Sequence, residues 1–514
     1  MNLSEQEIIR RQKLDEIRKL GIDPYPAPSF AVTHYSTDIK EAYTEETKEQ
    51  FARISMAGRI MSLNDKGKVL FIKIQDSKGI IQLYVRRDDI VPGEDKTFFD
   101  KVIKHLIDLG DIIGVTGFAF ITKTGETSIH AQSITLLNKS LKPLPVVKRD
   151  EAGNVFDAVT DPEFRYRQRY ADLIINTQVR DTFVKRTRMI NSIREFLNSQ
   201  GALEVETPVL QSIPGGATAR PFITHHNALD IPLYLRIANE LYLKRLIVGG
   251  FDWVYEFSRD FRNEGMDRTH NPEFTILEFY VAYKDYYWMM ETTEQMLEKT
   301  AIAVNGTTDA QMGEKTIHFK APFARVSIYD AIKEHTGFDI NGMDEVALRD
   351  VCKKLHIDVA PNLGKGKLID AIFGEKCEPH YIQPTFIIDY PIEMSPLTKK
   401  HRTKEGLVER FELMVNGKEV ANAYSELNDP IDQRERFEDQ VKLMERGDDE
   451  AMFIDHDFLR ALEYGMPPTA GIGIGIDRLA MMLTNSQSIQ DVLFFPQMRP
   501  EKLQEGHAEA AKEN

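Results

Sequence analysis

Residues 255–280 decide the fold of the longer part of the chain and read YEFSRDFRNEGMDRTHNPEFTILEFY. Residues on both flanks of this stretch alternate with a period of two, which predicts two β-strands. The polar residues 263–271 between them include Gly265. The stretch therefore predicts a hairpin with a long, adaptable tip.

Charged and titratable side chains stand among the aromatic residues of this hairpin, including Arg259, Arg262, Glu264, Arg268, His270 and Glu278. Buried charges are costly unless they are paired or bind a ligand. The planar fork of an arginine binds a phosphate or a carboxylate through two hydrogen bonds, so the pattern favours an anion-binding site. A structural network of ion pairs is the alternative at this point.

The bulk composition is that of an ordinary globular protein with two to four domains, with 514 residues, 42% of them apolar and 28% charged. Cys352 and Cys377 have no partner at metal-binding spacing, which disfavours a disulfide scaffold or a zinc site and favours a reducing cytoplasm. No apolar run predicts a membrane span, and residues 1–20 lack the apolar core of a signal peptide.

The net charge of −15 is unevenly distributed. Residues 51–150 hold 16 Lys and Arg against 11 Asp and Glu, a local excess of +5, so the remainder carries −20. A basic module on an acidic body is compatible with local contact to nucleic acid, and a solvated basic face is the alternative.

The first part of the chain predicts a small nucleic-acid-binding barrel. Residues 1–50 form an N-terminal helical segment in which Ser4 and Glu7 make a capping box. Residues 51–140 contain five short strands and one helix, a pattern typical of the OB-fold. Phe71 and Gln82 lie on adjacent predicted strands and could offer a stacking ring and a hydrogen-bonding amide, unless Phe71 is simply part of the core.

The remaining boundaries follow from breaks in periodicity. We predict a linker at 141–165, a second domain at 166–502 with a helical insertion at about 291–385, and a disordered tail at 503–514. A long helix within 177–200, with Gly201 after it, leads into a strand that ends at Pro208. This helix and strand form either an internal support or a dimer face.

Glu412 and Glu419 flank the dipeptide Asn416-Gly417, a strong signal for a two-residue hairpin turn. That turn pairs Val415 with Lys418, Met414 with Glu419, and Glu412 with Ala421, and it places both glutamates on one face. Facing carboxylates repel unless a cation joins them, so the pair predicts a Mg²⁺ site that substrate phosphates complete. Two solvent-exposed acids are the alternative.

Asn422, Tyr424 and Glu426 have the opposite parity to Glu419 on the same predicted strand. A regular strand would point them to the other face. If both sets line one pocket, the backbone must bulge near residues 420–422. We predict that irregularity.

Two further groups predict ligand binding. Gly471, Gly473 and Gly475 leave one strand face bare, which lets a flat ring approach or a helix pack closely, and Arg478 follows where it could clamp a phosphate. No βαβ unit follows, so a dinucleotide-binding fold is disfavoured. The second group is acidic, comprises Glu240, Glu278 and Glu426 with Tyr280, and suits a cationic ligand.

With these pieces in place, nearly the whole chain resembles the class II lysyl-tRNA synthetases. FRNEG at 261–265 with RTHNPEFT at 268–275 resembles the second signature motif of that family, and GIGIGIDR at 471–478 resembles the third. The helix and strand ending at Pro208 resemble the first motif, which forms the dimer interface. MSPLTKKHR at 394–402, RFELMVNGKE at 410–419 and ANAYSELND at 421–429 are similar to the lysine-specific members.

The resemblance implies an α+β fold, with an OB-fold barrel that reads the anticodon and a class II catalytic domain built on an antiparallel sheet flanked by helices. It implies ATP, L-lysine and tRNA(Lys) as partners, Mg²⁺ as cofactor, a homodimer and no membrane. The lysine carboxylate would attack the α-phosphorus of ATP, and the adenylate would then pass lysine to the tRNA. Positioning and charge neutralisation suffice for this chemistry, in agreement with a sequence that predicts no nucleophilic triad.

The family pattern also implies residue roles. Arg262 and Arg478 would be the catalytic residues, with Arg262 on the α-phosphate and the lysine carboxylate. ATP would contact Arg262, Glu264, His270, Phe274, Glu412, Glu419, Gly475 and Arg478, and Glu412 and Glu419 would hold the metal. Lysine would contact Gly216, Glu240, Arg262, Glu278, Tyr280, Asn422, Tyr424 and Glu426, and anticodon bases would contact Phe71 and Gln82.

Two positions depart from the family pattern. The family often has phenylalanine where Tyr424 stands, and Asn64 replaces a basic position that contacts the anticodon. Three other functions remain open at this point: an aspartyl- or asparaginyl-type synthetase, a lysyltransferase acting on protein, and a non-catalytic RNA-binding protein on the same scaffold. The acidic group argues against an acidic substrate, and a lysyltransferase would not need residues 51–140.

Overall fold

The computed structural model describes residues 3–145, 159–445 and 452–500. The chain divides into two compact units, one up to Val159 and one from Thr160 onward. Part of the predicted linker (146–158) and the predicted tail (503–514) lie outside the described residues. Pro162, within the predicted linker, already opens a helix that Asp161 caps.

The first unit begins with helices α1 (Glu5–Lys19) and α2 (Ser36–Ala42), followed by a 3₁₀ turn at Lys48–Phe51. The capping box at the start of α1 is confirmed, because the backbone N–H of Ser4 donates to the Glu7 carboxylate at 2.9 Å and the Ser4 hydroxyl accepts from the backbone N–H of Glu7 at 3.3 Å.

Five strands close into a barrel in the order β1-β2-β3-β5-β4, which confirms the OB-fold prediction. The strands are β1 (Ile54–Asp65), β2 (Val69–Gln75), β3 (Ile80–Arg86), β4 (Ile112–Ile121) and β5 (Thr127–Asn138). A short helix α3 (Arg87–Ile90) and a π-helical segment at Phe98–Leu106 connect β3 to β4. Phe99 and Ile103 of that segment are fully buried in the barrel core, which explains its apolar face.

The second unit contains both helices and strands, in runs of one to four elements of the same kind. Its elements are α4 (Pro162–Arg167), α5 (Arg169–Ile175), α6 (Gln178–Ser199), β6 (Leu203–Glu204), β7 (Leu210–Gln211), β8 (Ile223–His226), β9 (Ile231–Leu235), α7 (Glu240–Val248), β10 (Trp253–Phe261), β11 (Glu273–Ala282), α8 (Tyr286–Asn305), β12 (Asp309–Met312), β13 (Lys315–His318), β14 (Ala324–Ser327), α9 (Ile328–Thr336), α10 (Glu345–Lys354), α11 (Lys365–Lys376), β15 (Thr385–Ile388), β16 (Arg410–Val415), β17 (Lys418–Ser425), α12 (Pro430–Glu445), α13 (His456–Tyr464), β18 (Thr469–Gly475), α14 (Ile476–Thr484) and α15 (Ile489–Val492). Gly201 has a φ of +90°, which fits its predicted place after α6.

An eight-stranded sheet in the order β14-β15-β16-β17-β18-β11-β10-β6 carries the second unit. Its central pairings are antiparallel, as expected, whereas the pairs β14–β15 and β10–β6 at the two edges are parallel. Helices α6, α8 and α14 pack against one face through buried residues such as Ile193, Leu297 and Leu479. The opposite face of the sheet carries the cavity that is described below.

Two smaller cores border that opposite face. Helices α9, α10 and α11 of the predicted insertion surround a core that includes Leu348 and Ile369 and reaches Met414 of β16. Helices α7, α12 and α13 form another with Leu243, Phe437 and Phe458. Helix α8 starts before the predicted insertion and belongs to the main core, so the self-contained helical part is α9–α11.

Candidate active site

The hairpin of residues 255–280 is present, and its strands are the sixth and seventh of the eight in the sheet. Strands β10 and β11 pair antiparallel, with Glu256 opposite Glu278 and Asp260 opposite Phe274. The backbone N–H of Arg262 donates to the carbonyl of Pro272 at 2.9 Å and closes the tip. Since alternate residues share a face, β11 presents Phe274, Glu278 and Tyr280 on one side.

Strand β18 lies between β11 and β17 and forms the bare floor that its glycines predicted. Gly471 and Gly473 lie opposite Tyr280 and Glu278 of β11 on one side, and opposite Tyr424 and Asn422 of β17 on the other. A Cβ atom on Gly471 would come within 2.1 Å of Oε1 of Glu426 and 2.3 Å of the Tyr280 ring. The missing side chain therefore makes room for pocket residues rather than for a helix.

The predicted bulge in β17 is confirmed. The ladder with β16 pairs Met414 with Glu419 and Leu413 with Ala421, so Val420 is the extra residue. Val420 and Ala421 are both buried in the main core, whereas Glu419 and Asn422 both line one cavity. One detail of the prediction was wrong, because the bulge shifts the partner of Glu412 from Ala421 to Asn422.

These elements surround a cavity of about 450 Å³. Its lining includes nearly every residue predicted for the catalytic domain, namely Gly216, Glu240, Arg262, Glu264, His270, Phe274, Glu278, Tyr280, Glu412, Glu419, Asn422, Tyr424, Gly475 and Arg478. Glu426 is the exception. It is 2% exposed and lies behind the lining, where its carboxylate contacts the ammonium of Lys244.

One end of the cavity presents the guanidinium of Arg262, a group that binds anions. The guanidinium of Arg262 lies 5.1 Å from the centroid of the Phe274 ring. Its Nε atom is buried and has no hydrogen-bond partner among the residues that the structure describes. An uncompensated buried donor of this kind is costly in the free protein, so its position favours a phosphate or carboxylate ligand.

Arg478 supplies a second guanidinium beside the hairpin tip. Its Nη1 donates to the carbonyl of Glu419 at 2.8 Å, and its Nη2 lies 2.9 Å from Nε2 of His270. His270 is oriented by Asp267, whose carboxylate lies 2.8 Å from Nδ1. The tip is thus linked to β17 through Arg478, the residue predicted to clamp a phosphate.

Glu412 and Glu419 form the acidic wall of the cavity. Burial raises the pKa of Glu412 to about 7 against the attraction of Arg410, and the charges of Glu419 and Asp370 raise it further. Two acids that oppose each other's ionisation fit a divalent cation that is completed by substrate phosphates. The described residues contain no cluster of three or more His, Cys, Asp or Glu that could hold a metal without such a ligand.

Arg410 is a functional candidate that the sequence analysis missed. Its Nε donates to Oδ1 of Asn422 at 3.1 Å, its Nη1 donates to the carbonyl of Met394 at 2.8 Å, and its Nη2 bonds to Glu412. Arg410 therefore fixes a predicted metal ligand and a predicted lysine-binding residue together. Its position two residues before Glu412 on the same strand was the available signal.

The other end of the cavity presents two carboxylates, Glu240 and Glu278, which could bind a cation. The Tyr280 hydroxyl donates to Oε2 of Glu278 at 3.0 Å, and the Tyr424 hydroxyl donates to Oε2 of Glu240 at 2.7 Å. Burial raises the pKa of Glu278 well above its ordinary value, and nearby Asp260 and Glu240 raise it further. Across the described ranges no lysine or arginine pairs with Glu278, so a ligand cation would be its counter-charge.

Deeper acids of the same hairpin are already neutralised by the protein. Arg236 lies 2.7 Å from Oε1 of Glu256 through Nη1 and 3.2 Å from Oδ1 of Asp260 through Nε. The contrast with Glu278 separates structural acids from the acid that faces the cavity. The alternative interpretation of the hairpin as an ion-pair network is therefore correct for Glu256 and Asp260 of β10 and not for Glu278 of β11.

The barrel of the first unit carries an aromatic surface. Phe71 is half-buried, and its ring centroid lies 5.7 Å from that of Tyr84. Tyr84 in turn contacts Phe120 and His130 at 5.7 and 5.0 Å. Gln82 is mostly buried, and its Nε2 donates to Oγ of Ser128 at 3.0 Å. The sequence analysis missed Tyr84, Phe120 and His130, although all lie on predicted strands.

Each of the two units matches a known protein family. Residues 161–499 match the family described as "tRNA synthetases class II (D, K and N)", and residues 54–137 match "OB-fold nucleic acid binding domain". Across the three described ranges, no helix has the length and apolar character needed to cross a bilayer.

Curated relatives match almost the whole chain. A protein of Porphyromonas gingivalis named "Lysine--tRNA ligase" is 65% identical over 503 residues, 98% of this chain and 87% of its own length. Proteins with the same name from Christiangramia forsetii and Azobacteroides pseudotrichonymphae are 64% and 62% identical, and the matches cover 97% and 98% of this chain and 87% and 100% of theirs. The chain therefore belongs to the lysine–tRNA ligases, within the class II tRNA synthetases.

Proposed function

We propose that the cavity of the second unit joins lysine to ATP and then passes the lysyl group to tRNA(Lys). One observation supports this most strongly. A single cavity holds an unpartnered buried arginine donor at one end and, at the other, a buried carboxylate, Glu278, whose ion-pair partner is missing from the described residues. Lysine supplies a carboxylate for the arginine, an ε-ammonium for Glu278 and an α-ammonium besides, whereas aspartate and asparagine each carry a single ammonium.

The first step forms a bond between a carboxylate oxygen of lysine and the α-phosphorus of ATP. The bond from that phosphorus to the bridging oxygen of the β-phosphate breaks, and pyrophosphate leaves. Arg262 holds the two reacting groups together because its fork can face both anions. In this proposal Arg478 and His270 contact the outer phosphates, and both line the cavity next to the hairpin tip.

The adenine ring is placed between the hairpin and the bare floor. Phe274 offers a ring for stacking, Glu264 a carboxylate for the exocyclic amine, and Gly475 an uncrowded backbone. Gly475 lines the cavity, and a Cβ atom there would meet Arg478 and the Val420 carbonyl at 3.7 Å, so glycine leaves that volume to a ligand.

Glu412 and Glu419 would hold a magnesium ion, which would neutralise phosphate charge when bound. The protein's contribution is to hold the two carboxylates on one face through the pairing that the Asn416-Gly417 turn sets, and to fix Glu412 through Arg410. Both acids line the cavity that Arg262 and Arg478 also line, which brings them within reach of the same triphosphate.

The lysine substrate lies along the acidic side. Gly216 and Glu240 contact its α-amino group, Asn422 its carboxylate, and Glu278 and Tyr280 its ε-ammonium. Gly216 has a φ of +88°, and a Cβ atom there would come within 3.1 Å of the Cβ of Glu240, so glycine keeps this approach open. Tyr424 and Glu426 complete the pocket from β17 and the residue that follows it.

In the second step, a ribose hydroxyl at the end of the tRNA attacks the lysyl carbonyl, and AMP leaves with the former acid oxygen. The barrel of the first unit contacts the anticodon, with Phe71 stacking on a base. Nε2 of Gln82 donates one of its two hydrogens to Ser128, so the amide oxygen and the second N–H are the groups left for a base.

We further propose a homodimer that works in the cytoplasm. Apolar side chains are exposed on and around α6 and the strands that follow it, the region whose motif resembles the family's dimer interface. They include Val184, Leu203, Leu210 and Phe494, at 54%, 46%, 51% and 51% exposure. Light scattering at micromolar concentration tests this, and a monomer would contradict it.

Amino-acid-dependent pyrophosphate exchange with lysine, aspartate and asparagine, followed by charging of bulk tRNA, tests the function. We expect exchange and charging with lysine alone. Exchange with aspartate or asparagine would identify a different substrate, and tRNA binding without any exchange would support the non-catalytic alternative. Glu426→Gln is expected to lose lysine-dependent exchange and discrimination, and wild-type exchange in that variant would refute the placement of Glu426 in the lysine pocket.

A further inference from the structure

A fully buried lysine lies between two acids of the proposed lysine pocket. The Nζ atom of Lys244 is 2.5 Å from Oε1 of Glu240 and in contact with Oε2 of Glu426. It also lies 5.5 Å from the centroid of the Tyr424 ring. A lysine side chain with no exposure is rare, because burial penalises its charge unless carboxylates compensate.

The surroundings keep this lysine charged. Burial lowers the pKa of Lys244, but Glu240 and Glu426 together raise it by more, so the ammonium persists at neutral pH. The titratable groups that face it are Glu240 of α7, Tyr424 of β17, and Glu426, the residue after β17. The Phe458 ring of α13 covers the ammonium from another side, at 5.8 Å.

The charges around the pocket can be counted. Glu240, Glu278 and Glu426 carry three negative charges when ionised, and Lys244 supplies one positive charge. The net charge of −2 that remains is balanced by the two ammonium groups of a lysine substrate. The carboxylate of that substrate is assigned to Arg262. With neither Lys244 nor a substrate, the three acids would repel one another, and protonation would neutralise them.

We propose that Lys244 is a positioning residue for lysine specificity, an internal counter-cation that orients the carboxylates of Glu240 and Glu426, so that Glu278 is the acid left for the substrate's side chain. This inference rests on the proposed function. It adds to that function a residue that is assigned no contact with the substrate and acts only through Glu240, which lines the cavity, and Glu426, which lies behind the lining.

The test compares Lys244→Gln with the wild-type enzyme and with Arg245→Gln. Arg245 is the matched control because it is the next residue of α7 and pairs with Asp455, at 2.7 Å, outside the cavity. The KM values for lysine and for ATP are measured by pyrophosphate exchange, and lysine binding by calorimetry. We expect Lys244→Gln to raise the KM and Kd for lysine at least tenfold, with the ATP KM within twofold, and Arg245→Gln to change neither.

Two further measurements distinguish positioning from general stability. Without Lys244, Glu426 is protonated to a higher pH, so the ratio of variant to wild-type lysine KM should fall as the pH rises from 7 to 9. A double-mutant cycle with Glu426→Gln should be non-additive, because Lys244 acts through that carboxylate. Should Lys244→Gln fail to fold, Lys244→Arg keeps the charge and should retain a lysine KM within about fivefold of wild type.

The outcomes separate this inference from the proposed function. Wild-type lysine affinity in folded Lys244→Gln, additive effects in the cycle, or a tenfold loss in folded Lys244→Arg would overturn the role of Lys244 alone. A wild-type protein that binds lysine but shows no lysine-dependent exchange would contradict the proposed function alone. A wild-type protein that does not bind lysine would overturn both.

Discussion

The hydroxyl of Tyr424 donates a hydrogen bond of 2.7 Å to Oε2 of Glu240 and joins the central sheet to helix α7 across the cavity. Glu240 has a second partner in Lys244, so the tyrosine is not its only support. We expect Tyr424→Phe to lower kcat/KM for lysine by no more than about fivefold, the value of one hydrogen bond of about 1 kcal/mol.

Pyrophosphate exchange at varied lysine concentration measures that effect. Glu240→Gln is the comparison, because it removes the carboxylate itself and should cost far more than the hydroxyl. A loss of a hundredfold in Tyr424→Phe would show that the hydroxyl contacts substrate directly.

Replacing Arg262 by lysine should lower kcat for exchange by about 10²–10³-fold, because an ammonium cannot face two anions with a planar fork. Arg259→Lys is the matched control on the same hairpin, where the guanidinium of Arg259 lies 3.7 Å from Glu273 and both side chains are about half exposed. Equal losses in the two variants, measured as kcat at saturating ATP and lysine, would refute the assignment of Arg262.

The metal requirement should depend on pH through Glu412. Because the pKa of this carboxyl is about 7, protons compete with Mg²⁺ below that value, and the Mg²⁺ concentration for half-maximal exchange should fall as the pH rises from 6 to 8. Glu412→Gln should weaken Mg²⁺ dependence and flatten this profile. A wild-type requirement that does not change across this range would contradict the metal assignment.

The same carboxyl predicts how the metal-free protein responds to pH. Between its ordinary pKa of 4.5 and about 7, the folded state binds more protons at Glu412 than the unfolded state does, so this group's contribution to stability falls as the pH rises through that window. Glu412→Gln removes the contribution, and thermal melts of wild type and variant at pH 5 and pH 7.5 should show a difference in stability that changes with pH in this sense.

The barrel should affect tRNA and not lysine activation. Phe71→Ala removes a ring proposed to stack on a base, an interaction of about 1–3 kcal/mol, so KM for tRNA should rise by about five- to a hundredfold while pyrophosphate exchange is unchanged. Ile121→Ala is the control, since Ile121 is 45% exposed at the end of β4 in the same barrel. A fall in exchange in Phe71→Ala would instead indicate a damaged fold.

Local signals predicted the parts of the site that depend on short stretches of chain. The Asn416-Gly417 turn fixed the register of β16 and β17, because both residues adopt positive φ, at 51° and 68°. The mismatch in parity between Glu419 and Asn422 then required a bulge, which the ladder shows at Val420. In each case the determinant lies within a few residues of its effect.

The missed parts depend on contacts between distant segments. Lys244 pairs with Glu426 because the fold brings α7 next to the end of β17, which the sequence does not reveal. The other ion pair of Lys244, with Glu240, follows from their i,i+4 spacing on one helix. Likewise, Gln82 meets Ser128 through the parallel pairing of β3 with β5, 46 residues away. Periodicity does not predict which strands become neighbours.

The single extra residue at Val420 ties metal binding to amino-acid choice. On one side of it stands Glu419, assigned to the ion, and on the other stand Asn422 and Tyr424, assigned to lysine. Deleting one residue there would shift the register, so that Asn422 and Tyr424 would face the main core and Ala421 and Ala423 would face the cavity. Strand β17 can therefore diverge by substitution but not by changes in length, and the spacing between these side chains should be more constrained than their identities.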